Sequence, residues 1–209
     1  MAVRVSVTAS VNAVEDQRLR ITAHSAETVK EALMFLVLDT ETSGLDPITD
    51  QIIDIHSIAM DRDGNTLEYY GTKVKLDPGV IMSPEAAKVN GYPDGWETAI
   101  DIHDAIEGFN KKFAGGSYQL LGWNPGFDYG FLQAGDWIKH FKLSHHPFDV
   151  YSLAYPLLKD LPLKPGRHNV GLGDAFKYLV PGVELPKMHS AIGDVLACIA
   201  IYKRVMGVK

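Results

Sequence analysis

The run Phe35-Leu36-Val37-Leu38 ends on Asp39-Thr40-Glu41, and this junction constrains the chain more than any other stretch. Consecutive apolar residues of this kind read as a strand buried on both faces of a sheet. Side chains alternate along a strand, so Asp39 and Glu41, two apart, share one face. The strand therefore delivers two carboxylates side by side to the end of a sheet. Like charges placed this way repel unless a cation sits between them.

Two later motifs supply partners for that pair. Asn124-Pro125-Gly126-Phe127-Asp128 puts an acid in the first turn of a helix, and His189-Ser190-Ala191-Ile192-Gly193-Asp194 adds a histidine and a further acid. Each feature alone has an ordinary explanation: strand-end acids facing water, an acid favoured by a helix dipole, a capping histidine. Together, four carboxylates and one histidine from distant parts of the chain form the donor set of a two-metal, phosphodiester-cleaving site. Hard carboxylate oxygens favour Mg²⁺ or Mn²⁺ over zinc.

The order Asp-x-Glu, Asp, His-x-x-x-x-Asp resembles the DEDDh group of the DnaQ-like 3′–5′ exonucleases. Asp39-Thr40-Glu41-Thr42-Ser43-Gly44-Leu45, Phe127-Asp128-Tyr129-Gly130-Phe131-Leu132 and His189 to Asp194 match the three motifs of that family. Ser83 to Gly91 resembles the segment such enzymes carry between the first two. The likeness covers Met34 to about Arg204. It implies an α/β, ribonuclease-H-like fold: a mixed five-stranded sheet flanked by helices. It also implies that Asp39 bridges two ions, Glu41 and Asp194 complete the shell of the first, and Asp128 holds the second. His189 is then the general base, with an unperturbed pKa of about 6.5 that suits the role. Thr42 and Leu45 are implied to contact the terminal nucleotide.

The activity expected is a two-metal 3′–5′ exonuclease that releases nucleoside monophosphates from single-stranded 3′ ends, preferentially DNA. An exoribonuclease or oligoribonuclease of the same fold is the near alternative, because recognition of a 2′-hydroxyl depends on a few groups. A non-catalytic binding module in a replication or repair complex is the distant one, and it has no need of His189. Trp123, Phe127, Tyr129 and Phe131 are candidates to stack bases. Trp123, just ahead of the helix, is the one expected to be exposed. It stands where many relatives carry histidine.

Bulk properties are compatible. Acidic residues outnumber basic ones, 26 to 20, for a net charge of −6, which disfavours a nucleic-acid coat protein but not a nuclease gripping one strand end. Cys198, the single cysteine, allows no internal disulfide. With no signal-like or spanning apolar run, the expected location is the cytoplasm. The chain ends at Lys209, soon after the last motif, so a stand-alone exonuclease is expected rather than a polymerase subunit.

Strands are predicted over 35–41, 51–60, 66–76, 118–122 and 147–150. Helices are predicted from a Ser83 cap to Asn90, over 97–113, from an Asn124 cap toward His140, and over 188–205. His189 is placed at the start of that last helix or in the loop before it. Asp54 on the second strand reads as structural. No metal role follows for Asp149, Asp174 or the adjacent His145 and His146. Residues 1–33 form an N-terminal extension to an exonuclease domain over 34–209. Val3 to Val7 alternates like a strand, with Leu19 to Thr22 as a partner and a helix over 26–33. Such an arm could support homo-oligomers through its exposed edges.

Overall fold

The computed structural model of the chain describes residues 34–208. The strands and helix expected within 1–33 lie outside that range. Strand β1 (Met34–Thr42) pairs antiparallel with β2 (Ile52–Met60), which pairs antiparallel with β3 (Thr66–Lys73). On its other side β1 runs parallel to β4 (Ser117–Gly122). Two short strands, β5 (Lys142–Leu143) and β6 (Phe148–Asp149), both run parallel to β4. The result is a six-stranded mixed sheet in the order β3-β2-β1-β4-β5.

The sheet thus has one strand more than expected. The addition, β5, is two residues long, too short for any hydrophobic period to show. Its place comes from the preceding turn. The Asp128 helix, α3 (Gly126–Ala134), stops at Gly135 well short of His140. Asn110 then takes the backbone N–H groups of Lys139 and His140 on its side-chain oxygen, at 2.8 and 3.0 Å.

Two other helices, and the start of α3, differ or agree for legible reasons. Helix α1 (Pro84–Asn90) has the expected cap: Ser83 Oγ accepts from the Ala86 N–H at 3.0 Å, and Gly91 closes the helix at φ 83°. Helix α2 (Ile102–Phe113) starts later than predicted, because Ile100 bridges Val74 and so belongs to the sheet rather than to a helix. That bridge also ends β3 early. The Asn124 side chain makes no cap; Pro125 occupies the N-cap position, and Asn124 sits at φ 61°, a conformation asparagine tolerates. Helices α4 (Val150–Leu158), α5 (Leu172–Leu179) and α6 (Ala191–Met206) complete the described chain. None of the described helices is long and apolar enough to cross a membrane.

The alternation along β1 divides the core. Phe35 and Val37 join Ile58 and Met60 beneath α4, α5 and α6, in a layer that includes Ala154, Phe176, Val195 and Ile201. Leu36 and Leu38 face the opposite layer, where α2 and α3 bring Phe109, Phe113, Phe131 and Leu132. Asp39 and Glu41 continue the first of these faces, so β1 aims them at the layer that contains α6.

Phe109 anchors the second layer. It is fully buried, with ring centroids 5.1 to 5.7 Å from Phe113, Tyr70, Trp137 and Phe141. Phe109→Ala should lower unfolding free energy by about 3–5 kcal/mol. A denaturant titration would show this as a lower midpoint; a shift under about 1 kcal/mol would mean the ring is not a keystone of this layer.

Candidate active site

Pairing of β1 with β4 ends at Val37 opposite Leu121, so beyond that point one edge of β1 has no neighbouring strand. Asp128, in the first turn of α3, fills the gap. Its Oδ1 accepts from the Thr40 N–H at 2.9 Å and from the Thr40 hydroxyl at 2.7 Å. Thr40 is therefore a residue the motifs pointed past: it ties the α3 acid to the strand that carries the other two. Asp128 itself is only 4% exposed.

From the other side comes α6. Asp194 lies in its first turn, and one oxygen of Asp39, one of Glu41 and one of Asp194 all lie within 4.8 Å of one another. Asp128 stands outside that trio, held to Thr40. His189 lies in the loop ahead of α6, exposed and at φ 58°. A left-handed conformation is uncommon for a residue with a Cβ and clusters at functional sites. Gly193 lets the loop close on the helix: a Cβ there would collide with the Lys187 carbonyl.

All four acids hold their protons tightly. Burial, then the charges of Asp128, Asp194, Glu41 and Asp54, push Asp39 well above the usual carboxylate range. Glu41 rises to about 8, through burial and then Asp194 and Asp54. Asp128 rises to about 7 through burial, although the Thr40 hydrogen bonds pull it down. Asp194 rises to about 6, with burial raising it and neighbouring His189 lowering it. Among the described residues the buried Oδ1 of Asp194 has no hydrogen-bond partner. An unpartnered carboxylate oxygen facing two others is a seat for a divalent cation with a preference for oxygen.

A cavity of about 520 Å³ opens beside this cluster, lined by Thr42, Leu45, Ala86, Val89, Asn90 and Phe127 among others. Leu45 is 83% exposed, an unusual state for leucine unless something packs on it. The α1 residues Ala86 and Val89 were not among the expected site residues. In the sequence only the resemblance over Ser83 to Gly91 pointed toward them; that α1 buries none of its residues, leaving its apolar side chains without a core, is visible in the structure alone. Trp123 does not line this cavity. It is half-buried against Tyr151, with ring centroids 5.3 Å apart, because β4 turns it toward α4. Of the aromatic candidates Phe127 lines the cavity, while Phe131 is core. Asp149 caps α4, accepting from Tyr151 and Ser152, and also takes the Asn124 N–H at 3.1 Å. Asp174 pairs with Lys164.

The RNase_T exonuclease family matches residues 36–202 of the chain. The chain belongs to that family. It is a DnaQ-like 3′–5′ exonuclease domain. A DNA polymerase III subunit epsilon of Treponema pallidum is 28% identical over 176 residues, covering 83% of this chain and 77% of that protein. A PolC-type DNA polymerase III of Thermotoga petrophila is 31% identical over 161 residues, covering 69% of this chain but only 11% of the relative. Exonuclease I of E. coli, solved with a dA16 oligonucleotide, shares the fold at a TM-score of 0.68 and 21% identity; the match covers 85% of this chain and 41% of that one. This DnaQ-like domain therefore spans a small part of the PolC-type relatives.

The raised carboxylates link stability to pH. Their protons are held in the folded chain up to about pH 6–8 but only to about pH 4 in the unfolded chain. Their contribution is complete below about pH 4 and is lost as pH rises through the folded-state values. In chelator, the melting temperature should fall between pH 5 and 8.5, and Mg²⁺ should raise it more at pH 8.5 than at 5. Glu41→Gln should be more stable than the parent in chelator at pH 8.5. Calorimetry checks all three, and a Mg²⁺ effect equal at both pH values would contradict the cluster's role. Gly193→Ala, by the same calorimetry, should cost about 1–3 kcal/mol through displacement of the His189 loop.

Proposed function

We propose that the domain removes nucleoside monophosphates one at a time from the 3′ ends of single-stranded DNA, using two Mg²⁺ or Mn²⁺ ions. The observation that carries this is a three-carboxylate cluster opening directly onto an apolar cavity, with Glu41 in both. Asp39, Glu41 and Asp194 would hold one ion, and Asp39 with Asp128 the other. Bound there, the ions lower the pKa of the attacking water and stabilise the departing 3′ oxygen.

The remaining steps belong to the chain's own side chains. Leu45, Val89 and Phe127 offer apolar surface to one base, and Thr42 lies between that seat and the acids. A seat shaped for one base favours an unpaired end over a duplex. His189, exposed on its loop, takes the proton from the attacking water. The relatives named as DNA polymerase III components support DNA over RNA as substrate. A reducing cytoplasmic setting is compatible with the lone, buried Cys198.

End-labelled DNA and RNA oligonucleotides, single- and double-stranded, with Mg²⁺ or Mn²⁺, test the proposal. Single-stranded DNA should be shortened from its 3′ end to mononucleotides, and excess EDTA should stop the reaction. Faster loss of RNA would replace the DNA reading with the exoribonuclease one. Asp39→Ala and Asp194→Ala should abolish hydrolysis while the circular dichroism stays native. His189→Ala should lose about a hundredfold to ten-thousandfold in kcat and still bind metal. Wild-type-like turnover by any of these variants would remove that residue from the machinery.

The proposed domain starts at Met34, with every site residue beyond it. A chain beginning there should still digest a short oligonucleotide. If residues 1–33 mediate self-association, light scattering should show a smaller particle for the shortened chain.

A further inference from the structure

A second cavity, of about 290 Å³, lies across Glu41 from the base seat; Asp54, Lys73, Asp94, Trp96, Lys187 and His189 are among its lining residues. Asp54 stands out in it. It is 3% exposed, yet among the described residues its Oδ1 has no hydrogen-bond partner. His56 Nε2 lies 3.2 Å from that oxygen but out of hydrogen-bond geometry. A buried carboxylate oxygen without a donor is costly and calls for an explanation.

The sheet shows why the oxygen stays free. Asp54 is directly opposite Glu41 on β1 and Lys73 on β3, so all three side chains share a face. Lys73 is drawn away: its Nζ donates to the Gly95 carbonyl at 2.7 Å and sits 3.9 Å over the Trp96 ring. His56 is fixed on its far side, where Nδ1 lies 2.8 Å from the Tyr69 hydroxyl. Gly71, opposite His56, makes room for that pair, since a Cβ there would strike the His56 ring and the Tyr69 hydroxyl. Asp54 is thus held in place at the wall of the cavity that His189 borders. The other acids lining it are Glu41, already in the metal cluster, and Asp94, exposed on a loop.

We propose that Asp54 is a positioning residue: it accepts a ring N–H of His189 and so turns the other ring nitrogen toward the attacking water. This rests on the reading of His189 as general base. A histidine on an exposed loop has many orientations, and a fixed acceptor on the sheet selects one. The acceptor also fixes the tautomer, because one ring nitrogen must carry the proton it receives.

The test is a double-mutant cycle on single-stranded DNA hydrolysis. Asp54→Asn should lower kcat about 10- to 100-fold, the usual scale for a supporting acid, with KM nearly unchanged. In a His189→Ala background Asp54→Asn should cost nothing further. Asp54→Glu should recover part of the loss, and the loss in Asp54→Asn should persist at saturating Mg²⁺, because the Asp54 charge also acts on Asp39 and Glu41. Parent-like kcat in Asp54→Asn would overturn the proposal, and so would an equal loss in both backgrounds. Should Asp54→Asn not fold, NMR of the parent's His189 ring decides, with Mg²⁺ and a nucleoside monophosphate bound. A ring N–H protected from solvent supports the proposal, and one in free exchange overturns it. A parent protein with no activity would instead defeat the general-base reading itself.

Discussion

Carboxylates resist being buried side by side, and the rest of this structure is organised around keeping them there. Asp39 and Glu41 sit on a strand whose preceding residues are sealed in both core layers. The strand cannot tilt to relieve the repulsion without exposing Leu36, Val37 and Leu38. Fully burying an aliphatic side chain contributes about 1.5–3 kcal/mol each, so three such residues outweigh a moderate repulsion. Asp128 and Asp194 arrive on two helices from opposite faces, and each helix is packed into its own core layer. Burial first, and for Asp39, Glu41 and Asp128 the neighbouring charges after it, therefore appear as raised pKa values rather than as movement.

This arrangement explains what could be read from the chain and what could not. The apolar run and the Asp-x-Glu pair carry strong local signals, because strand period and burial are written in adjacent residues. The α1 caps are equally local, being set by Ser83, Pro84 and Gly91. By contrast, β5 exists because Asn110, some thirty residues earlier, captures the backbone that follows α3. Ile100 joins the sheet because Val74 lies beside it. Helix propensity over 97–101 could not reveal that. The site residues show the same division. Their types and order were legible, but the link from Thr40 to Asp128 spans eighty-eight positions and depends on where β4 stops pairing. Trp123 was misplaced for the reason that a residue leaving a strand can turn either way, and here Tyr151 receives it.

Glu41 divides two cavities of opposite character. On one side Leu45, Val89 and Phe127 make an apolar seat; on the other are lysines, Asp54 and the His189 loop. Asn90 borders both, and its side-chain N–H₂ donates to the Thr42 carbonyl at 3.3 Å. The end of α1 is thereby fastened to the strand that carries the acids. On the proposed function, a base in the apolar seat would bear on α1 and on the Thr42–Leu45 turn, both of which adjoin the wall of the second cavity, so binding energy from the base could act on turnover. Glu41 and Asn90 thus form a physical link between the two cavities, so a substitution at either residue alters the walls of both.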